Sequence, residues 1–189
     1  MTAWPTWLIV ALWIIWFAFW RLSALERTKV TERESAWSRA SYVLPLLLVI
    51  VLMIGPEWPP WLNYRLIRGG WIRYSIGVVM VTAGLAFTVW ARRVLGRNWS
   101  GRIAIKSGQQ LVRAGPYRYI RHPIYTGGLL AILGSAAASG RVSGFLAFCL
   151  ACAALLHKIR IEERWLTREF GDQYREYRGV SWMLVPYVL

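Results

Sequence analysis

The side chains best suited to chemistry are concentrated in residues 115–127, which read GPYRYIRHPIYTG. This segment contains His122, one of only 2 histidines in the chain, together with Arg118 and Arg121, and it leads into a strongly apolar stretch. Polar and charged groups at such a border are costly unless they bind something or remain in water. The segment is therefore the first candidate for a functional site.

Pro123 predicts that a helix begins directly after His122, because proline is well tolerated in the first turn of a helix. The free backbone N–H groups of Ile124 and Tyr125, with the positive end of the helix, would then favour an anion. A glycine-proline pair interrupts regular structure upstream, so residues 109–119 are expected to form a loop or short turns. Together with the fixed charges of Arg118 and Arg121, these features predict an anion-binding collar of backbone N–H groups and guanidinium groups, with tyrosines along one wall.

Two adjacent glutamates, Glu162 and Glu163, follow the last apolar stretch and are the best candidates for a carboxylate in the site. Neighbouring residues on a helix point about 100° apart. One of them can therefore face a cleft while the other pairs with a nearby cation. Four further glutamates are expected to be solvated charges: Glu26, Glu32, Glu34 and Glu57.

A cleft with an anion collar and a carboxylate would suit a ligand that carries an anion, a cation and an aromatic ring. S-adenosylmethionine is such a ligand, although ATP or a lipid headgroup would also fit. The chain has neither the glycine-rich fingerprint of a dinucleotide-binding fold nor the phosphate-binding loop of an ATPase. Any nucleotide site here is therefore not built on a soluble Rossmann plan.

The composition indicates a membrane protein. The chain has 189 residues, of which 57% are hydrophobic and 13 are tryptophan, and Lys and Arg outnumber Asp and Glu by 23 to 9. A nucleic-acid-binding protein can be as basic, but it does not contain several uninterrupted apolar stretches. Cys149 and Cys152 lie inside one of these stretches and are interpreted as small residues buried in the membrane. Too few Cys and His accompany them to predict a metal site.

Five apolar stretches predict an all-α integral membrane protein with about five transmembrane helices, at residues 4–20, 41–54, 72–94, 124–139 and 143–159. A full span takes about 20 residues. The last two stretches are short and are separated by a turn at residues 139–141, so they are expected to form a helical hairpin. Apolar residues at helical spacing in residues 160–178 predict a separate amphipathic helix.

The distribution of cations predicts the orientation. The segments that follow the first, third and fifth stretches carry most of the Lys and Arg residues, and the positive-inside rule assigns them to the cytoplasm. The N-terminus would then lie outside. The first apolar stretch is expected to be retained rather than cleaved as a signal peptide. The membrane is expected to be of the bacterial inner-membrane type. We expect one structural domain, in which residues 1–95 form membrane helices and residues 96–189 form the catalytic part.

The C-terminal half resembles the isoprenylcysteine carboxyl methyltransferase family, whose wider membership includes phospholipid N-methyltransferases. The resemblance rests on the RHPIY run at residues 121–125, the apolar hairpin, and a final set of residues: Glu162, Glu163, Phe170, Gly171, Tyr174 and Tyr177. It implies a methyltransferase that uses S-adenosylmethionine at the cytoplasmic membrane face and releases S-adenosylhomocysteine. It further implies a lipophilic or prenylated acceptor, such as the carboxylate of an isoprenylcysteine, contact with membrane lipids, and no nucleic-acid partner.

The resemblance also implies site residues. The cofactor-binding candidates are Gln109, Gln110, Leu111, Val112, Tyr117, His122, Pro123, Ile124, Tyr125 and Glu162. The catalytic candidates are Arg121, Lys158, Arg160 and Glu163, with Lys158 and Arg160 as alternatives for a basic residue that contacts substrate. Residues 181–186 read SWMLVP and depart from the family pattern, in which an arginine often precedes the final proline stretch.

The acceptor decides which residues the chemistry requires. A carboxylate is already ionised, whereas an amine must lose a proton, for which Glu162, Glu163 or His122 are candidate bases. Three alternatives remain beside carboxyl methylation: methylation of a phospholipid amine, reduction by an NADPH-dependent membrane enzyme, and a non-catalytic membrane binding module. The chain is short for such a reductase.

Overall fold

The computed structural model describes residues 4–23, 30–55, 58–106 and 108–188, and most of these residues are helical. The predicted helical membrane class is confirmed. The helices are α1 (Trp4–Ser23), α2 (Ala36–Ile54), α3 (Pro60–Asn63), α4 (Trp71–Leu95), α5 (Pro123–Ser139), α6 (Val142–Phe170) and α7 (Asp172–Val180). Short 3₁₀ turns cover Gly96–Asn98 and Gly115–Arg118.

Three helical segments among the described residues are long and apolar enough to cross a membrane: Ala36–Ile54, Trp71–Asn98 and Val142–Phe170. The apolar parts of α1 and α5, Trp7–Ser23 and Pro123–Ser139, are shorter. Large apolar side chains on the outside of α2, such as Leu44 and Ile54, are more than half exposed. Such a surface suits hydrocarbon rather than water. The five apolar stretches thus correspond to five helices, and the number that crosses completely stays a prediction.

A small sheet, which the sequence analysis did not predict, joins two loops. Strand β1 (Val30–Arg33) pairs antiparallel with β2 (Ala104–Lys106). The segment that follows α1 is thereby joined to the segment that follows α4. Helix α2 then begins at Ala36, five residues before the predicted stretch, because Ser35 caps it by accepting a hydrogen bond from the Ser38 amide at 3.2 Å.

The prediction of a separate amphipathic helix over residues 160–178 is wrong at its start. Helix α6 continues past the apolar stretch as one helix of 29 residues, because neither glycine nor proline occurs between Ile159 and Gly171. Gly171 adopts a φ of +53°, a left-handed conformation that glycine takes without steric cost, and ends the helix there. Only the short α7 remains separate. The charged end of α6 is therefore a rigid extension of its membrane-spanning part.

Helices α4 and α5 are in direct backbone contact through glycines. A Cβ atom built on Gly84 would lie 2.5 Å from the Gly127 carbonyl oxygen, and one on Gly77 would lie 2.7 Å from the Gly134 carbonyl oxygen. Small residues allow helices in a membrane to approach this closely. Because α6 follows α5 through the left-handed Gly140, the predicted hairpin is present and is anchored on α4.

Helix α1 packs on this pair of helices through tryptophans. The Trp13 indole donates to Ser135 Oγ at 3.1 Å, and the Trp16 indole donates to the fully buried Thr88 Oγ1 at 2.6 Å. Buried indole and hydroxyl groups satisfy one another in this way. Helix α2 packs instead against α6, so α1 and α2 lie on different sides of the space that forms the site.

Candidate functional site

A cavity of about 840 Å³ lies between α1, α2, α5 and α6 and extends beneath the segment that joins α4 to α5. Apolar side chains such as Val49, Met53, Ile132 and Leu155 line its middle. Most of the predicted site residues line one end: Gln109, Gln110, Leu111, Val112, Tyr117, Arg121, His122, Ile124, Tyr125, Lys158 and Glu162. The fold therefore brings together residues that are up to 53 positions apart in the sequence.

The other three predicted residues do not line the cavity. Pro123 is fully buried at the start of α5. Arg160 is exposed, and its carbonyl oxygen accepts from Arg164 Nε at 3.2 Å. Glu163 is buried behind the cavity wall. The structure thus separates the alternatives for the basic residue, since Lys158 faces the cavity and Arg160 does not.

The predicted anion collar is largely occupied by internal contacts. His122 is the residue before α5, as predicted, but its carbonyl oxygen accepts the Tyr125 amide at 3.0 Å, so this N–H group is not free. Arg121 donates to Glu163 and to the carbonyl oxygens of Arg178 and Ser181. The collar prediction is therefore wrong for Tyr125 and Arg121. The Tyr125 amide is hydrogen-bonded locally, in the first turn of α5, whereas Arg121 is engaged by Glu163, Arg178 and Ser181, which the local sequence around Pro123 does not reveal.

Glu163 is the centre of a buried ion-pair network. Its Oε1 lies 2.7 Å from Arg121 Nε and 3.4 Å from His122 Nε2, and its Oε2 lies 3.6 Å from Arg178 Nε. The side chains of Arg121 and Glu163 are both 9% exposed. A charge buried to this extent requires a partner. The network therefore connects α6 to the start of α5 and to α7.

The C-terminal segment forms the back of the same wall. The Arg121 amide donates to the Trp182 carbonyl at 2.8 Å, and the His122 amide donates to the Met183 carbonyl at 3.1 Å. Thr126 Oγ1 donates to the Leu184 carbonyl at 2.7 Å. The SWMLVP segment that departs from the family pattern therefore supports the RHPIY run through backbone contacts, which do not depend on side-chain identity.

Lys158 is held between two tyrosine rings, which we call the tyrosine clamp and define as Tyr42 and Tyr125. The Lys158 ammonium lies 4.9 Å from the Tyr42 ring centroid and 5.2 Å from the Tyr125 ring centroid, a cation–π arrangement. Tyr125 donates to Glu162 Oε2 at 2.7 Å, and Tyr42 donates to Glu34 Oε1. The ammonium forms no hydrogen bond within the described part of the chain, so it can bind an anionic group in the cavity.

Glu34 is not the solvated charge that the sequence analysis expects. It is half-buried, and besides Tyr42 its carboxylate accepts the Ser38 hydroxyl at 3.0 Å and the Ile103 amide at 3.2 Å. The pairing of β1 with β2 brings it there. Glu32 is exposed and pairs with Arg168 at 2.6 Å. Glu26 and Glu57 lie outside the described residues.

Three tyrosines around the polar end act as neutral hydroxyls. Burial raises the pKa of Tyr117 and of Tyr174, and it raises the pKa of Tyr177 to about 12. Tyr177 donates to the Tyr117 carbonyl. Tyr174 is among the residues that line the cavity, and its buried hydroxyl has no hydrogen-bond partner among the described residues. A buried hydroxyl without a partner costs about 1–3 kcal/mol, so it is suited to bind a ligand.

Sequence reasoning did not identify Tyr42, Asn98 or the Tyr174 hydroxyl as parts of this site. Asn98 lines the cavity, and its Oδ1 accepts the Gln110 amide at 2.9 Å, which positions the loop. Tyr174 belongs to the residues that carry the family resemblance, but no role in the site is predicted for it from the sequence. Its position at the start of α7, directly after the break at Gly171, was the available signal.

The site fits a ligand with a positive centre, an aromatic ring and hydrogen-bonding groups. The Glu162 carboxylate provides the counter-charge, Trp99 and Tyr117 provide aromatic faces, and Tyr174 provides an unused hydroxyl. Helix α6 positions Lys158 and Glu162 one turn apart, on the same face. A carboxylate that can bind a cationic group and an ammonium that can bind an anionic group therefore lie side by side at the end of an apolar cavity.

Comparison with known proteins supports this interpretation. The family model described as phospholipid methyltransferase matches residues 72–173, more than half of the chain. Methanethiol S-methyltransferase 2 of Bradyrhizobium diazoefficiens is 29% identical over 190 residues, which cover 95% of this chain and 71% of that protein. A probable protein-S-isoprenylcysteine O-methyltransferase of Oryza sativa is 32% identical over 121 residues, covering 62% of this chain and 63% of that protein.

The steroid 5-alpha-reductase DET2 of Solanum lycopersicum is 29% identical over 119 residues, which cover 61% of this chain and 44% of that protein. The chain thus spans between 44% and 71% of the length of these three relatives.

A solved structure shares the fold. The eukaryotic intramembrane Ras methyltransferase ICMT (isoprenylcysteine carboxyl methyltransferase) superimposes with a TM-score of 0.57 at 21% sequence identity, and the match covers 84% of this chain and 55% of that one. This chain is therefore an integral membrane protein with an ICMT-like helical fold, and it belongs to the phospholipid methyltransferase family, which confirms the resemblance.

Proposed function

We propose that the protein is a membrane methyltransferase that uses S-adenosylmethionine and methylates a lipophilic acceptor, namely the carboxylate of an isoprenylcysteine-like substrate. The observation that carries this proposal is the position of Glu162 and Lys158 side by side, where an apolar cavity meets its polar end. A methyl donor with a cationic sulfur and an acceptor with an anionic nucleophile each find an opposite charge there.

The residues around Glu162 would hold the methyl donor. The Glu162 carboxylate would face the positive charge of the methyl donor. The loop at residues 109–112 and the Tyr117 ring would enclose the donor. The Tyr174 hydroxyl offers it a hydrogen bond. When bound, S-adenosylmethionine supplies an electrophilic methyl group: the bond from sulfur to methyl breaks, a bond to the acceptor forms, and S-adenosylhomocysteine leaves.

Lys158 would orient the acceptor. Its ammonium attracts a carboxylate and repels an ammonium group, and a carboxylate needs no general base. The thiolate of a small thiol, the acceptor type in the name of the methanethiol relatives, carries the same charge. A phospholipid amine would need Glu162 as its base, because Glu163 is engaged by Arg121 and His122.

The apolar part of the cavity would receive the hydrocarbon chain of the acceptor and exclude water from the reacting atoms. Its walls come from α1, α2 and α5. Holding two reactants in line in this way can supply about 7–11 kcal/mol of the barrier. From the positive-inside rule applied to the basic loops, we propose that the polar end of the cavity faces the cytoplasm and that the N-terminus lies outside, in a bacterial-type inner membrane.

Binding and turnover of labelled S-adenosylmethionine test the proposal. The purified full chain, in detergent and in lipid bilayer discs, is expected to bind the labelled cofactor. It should then transfer label to a prenylcysteine carboxylate rather than to phosphatidylethanolamine. Absence of binding in both environments would overturn the proposal, and label found only on the amine would reassign the acceptor.

A matched pair of variants tests the role of Lys158. The variant K158Q is expected to raise the KM for the acceptor, because the cavity loses its cation. The variant R160Q removes an exposed cation two residues away and is expected to behave as the wild type. Equal effects of the two substitutions would contradict the assignment.

A second candidate function is favoured by the similarity to steroid 5-alpha-reductase DET2. An NADPH-dependent reductase would bind NADPH in place of S-adenosylmethionine. Oxidation of NADPH by the purified protein, without transfer of a methyl group, would establish this alternative. Binding of S-adenosylmethionine without turnover on any prenyl thioether or lipid would instead indicate a non-catalytic binding module.

A further inference from the structure

The cavity has a second polar end, opposite Lys158 and Glu162. Arg65 and Arg141 line it there, next to Ser139 at the end of α5. At 1.5 Å per residue, α5 separates Tyr125 at the first end from Ser139 at the second by about 21 Å. The two polar ends therefore lie on opposite sides of the bundle, with an apolar channel between them.

Backbone pairing holds Arg65 and Arg141 directly opposite each other. They form an isolated antiparallel bridge, flanked by hydrogen bonds from the Val142 amide to the Tyr64 carbonyl at 3.0 Å and from the Leu66 amide to the Gly140 carbonyl at 2.9 Å. Like charges directly opposite in such a pair are destabilising. Neither arginine side chain has a hydrogen bond or an ion pair within the part of the chain that the structure describes.

A third arginine adds to the positive charge. Arg73 is 6% exposed, and its Nη1 donates at 3.0 Å to the carbonyl oxygens of both Ile67 and Ser139. It therefore connects the two backbone segments that carry Arg65 and Arg141. Its Nε has no partner among the described residues. Arg65 and Arg141 thus line the mouth of the channel, and the buried Arg73 adds a third positive charge behind the backbone that carries them.

The sequence provides almost no counter-charge for this cluster. There is no Asp or Glu at all between residues 58 and 161. Glu57 precedes this stretch and lies outside the described residues. The carboxylates of Glu162 and Glu163 are at the opposite end of the bundle. An anion from outside the protein is therefore the natural partner of the arginine pair.

We propose that Arg65 and Arg141 bind the phosphate of an anionic phospholipid from the adjacent leaflet, with an acyl chain of that lipid in the apolar channel. Two neighbouring guanidinium groups match the geometry of a phosphate. Val10, Ile14, Met53 and Ile54 line the channel beside them and suit a hydrocarbon chain. The phosphate contact is separate from the methyl-donor site and does not depend on the proposed activity. The acyl chain of the lipid and the hydrocarbon chain of the acceptor would share the apolar channel.

Lipid binding to the purified full chain tests this proposal. Native mass spectrometry in detergent, with phosphatidylglycerol, phosphatidylcholine or glycerophosphate added, is expected to show preferential retention of phosphatidylglycerol. The double substitution R65Q/R141Q should weaken its binding about thirtyfold, roughly fivefold for each arginine. R68Q, which removes an exposed cation on the same loop, should bind as the wild type. Equal loss in R68Q, or no loss in R65Q/R141Q, would overturn the proposal.

Two further measurements exclude other partners. Glycerophosphate has the headgroup without acyl chains, and tight binding of it would show a free-phosphate site rather than a lipid site. If Glu57 neutralised the pair, E57Q would strengthen phosphatidylglycerol binding severalfold, and that result would also overturn the proposal. Binding of S-adenosylmethionine should be unchanged in R65Q/R141Q, which separates failure of this proposal from failure of the methyltransferase proposal.

Discussion

The adjacent glutamates Glu162 and Glu163 are expected to respond in opposite ways to substitution. Glu163 is buried against Arg121 at 2.7 Å, and each side chain is 9% exposed. Removing one partner of a buried ion pair leaves the other charge without compensation, at a cost of about 3–5 kcal/mol. For a chain of this length each kcal/mol lowers the Tm by about 2–4 °C. E163A should therefore lower the Tm by about 6–20 °C.

Glu162 faces the cavity and accepts one hydrogen bond, from Tyr125 at 2.7 Å. The amide of E162Q still accepts this bond, so the stability should change by no more than about 1 kcal/mol. The negative charge toward the methyl donor is lost. A hydrogen bond to a charged group contributes about 1.5–3 kcal/mol, so S-adenosylmethionine should bind about 10- to 150-fold more weakly.

The assay combines thermal unfolding with cofactor binding. Unfolding can be followed through the intrinsic fluorescence of the 13 tryptophans. The affinity for labelled S-adenosylmethionine is then measured well below the lowest Tm. The reasoning would be refuted if E163A melted at the wild-type temperature, or if E162Q lost stability without losing affinity. E163Q keeps the side-chain shape and should have an intermediate Tm.

Two further substitutions test the clamp and the helix contact. Y42L removes one aromatic face of the clamp and should raise the acceptor KM about 2- to 30-fold at unchanged cofactor affinity. Y42F keeps the ring and loses only the hydrogen bond to Glu34, so its KM for the acceptor should be close to that of the wild type. Equal KM values for Y42L and Y42F would contradict a cation–π role. G84V would force a side chain against the Gly127 carbonyl and should abolish a monodisperse, folded preparation, whereas G128A meets nothing within 4 Å and should keep the wild-type Tm.

Local sequence was sufficient for features that depend on neighbouring residues. Pro123 starts α5 because its fixed φ and missing N–H suit a first helical turn. The turn at Gly140 follows from the left-handed φ of +65° that glycine tolerates. The apolar stretches predicted where membrane helices lie, because hydrocarbon accepts only continuous apolar helix surface.

One error was local: the Tyr125 amide, predicted to face a ligand, is accepted by the His122 carbonyl in the first turn of α5. The others occurred where a distant segment intervened. The Arg121 guanidinium donates to Glu163 and to the segment after α7 instead of facing a ligand. Glu34 looked like a loop charge, yet the pairing of β1 with β2 places it beneath Tyr42. No spacing in the sequence records these pairings.

Sequence alone was sufficient to identify a membrane protein, the positions of its five apolar helices, and the segments that carry the candidate site residues. Composition and helical spacing are sufficient for this, because burial in hydrocarbon and the start of a helix depend on nearby residues. Only the tertiary structure decided that Lys158 rather than Arg160 faces the cavity. The tertiary structure also turns Glu162 toward the cavity while Glu163 pairs with Arg121, His122 and Arg178 in the wall, since the direction of a side chain depends on which helices surround it.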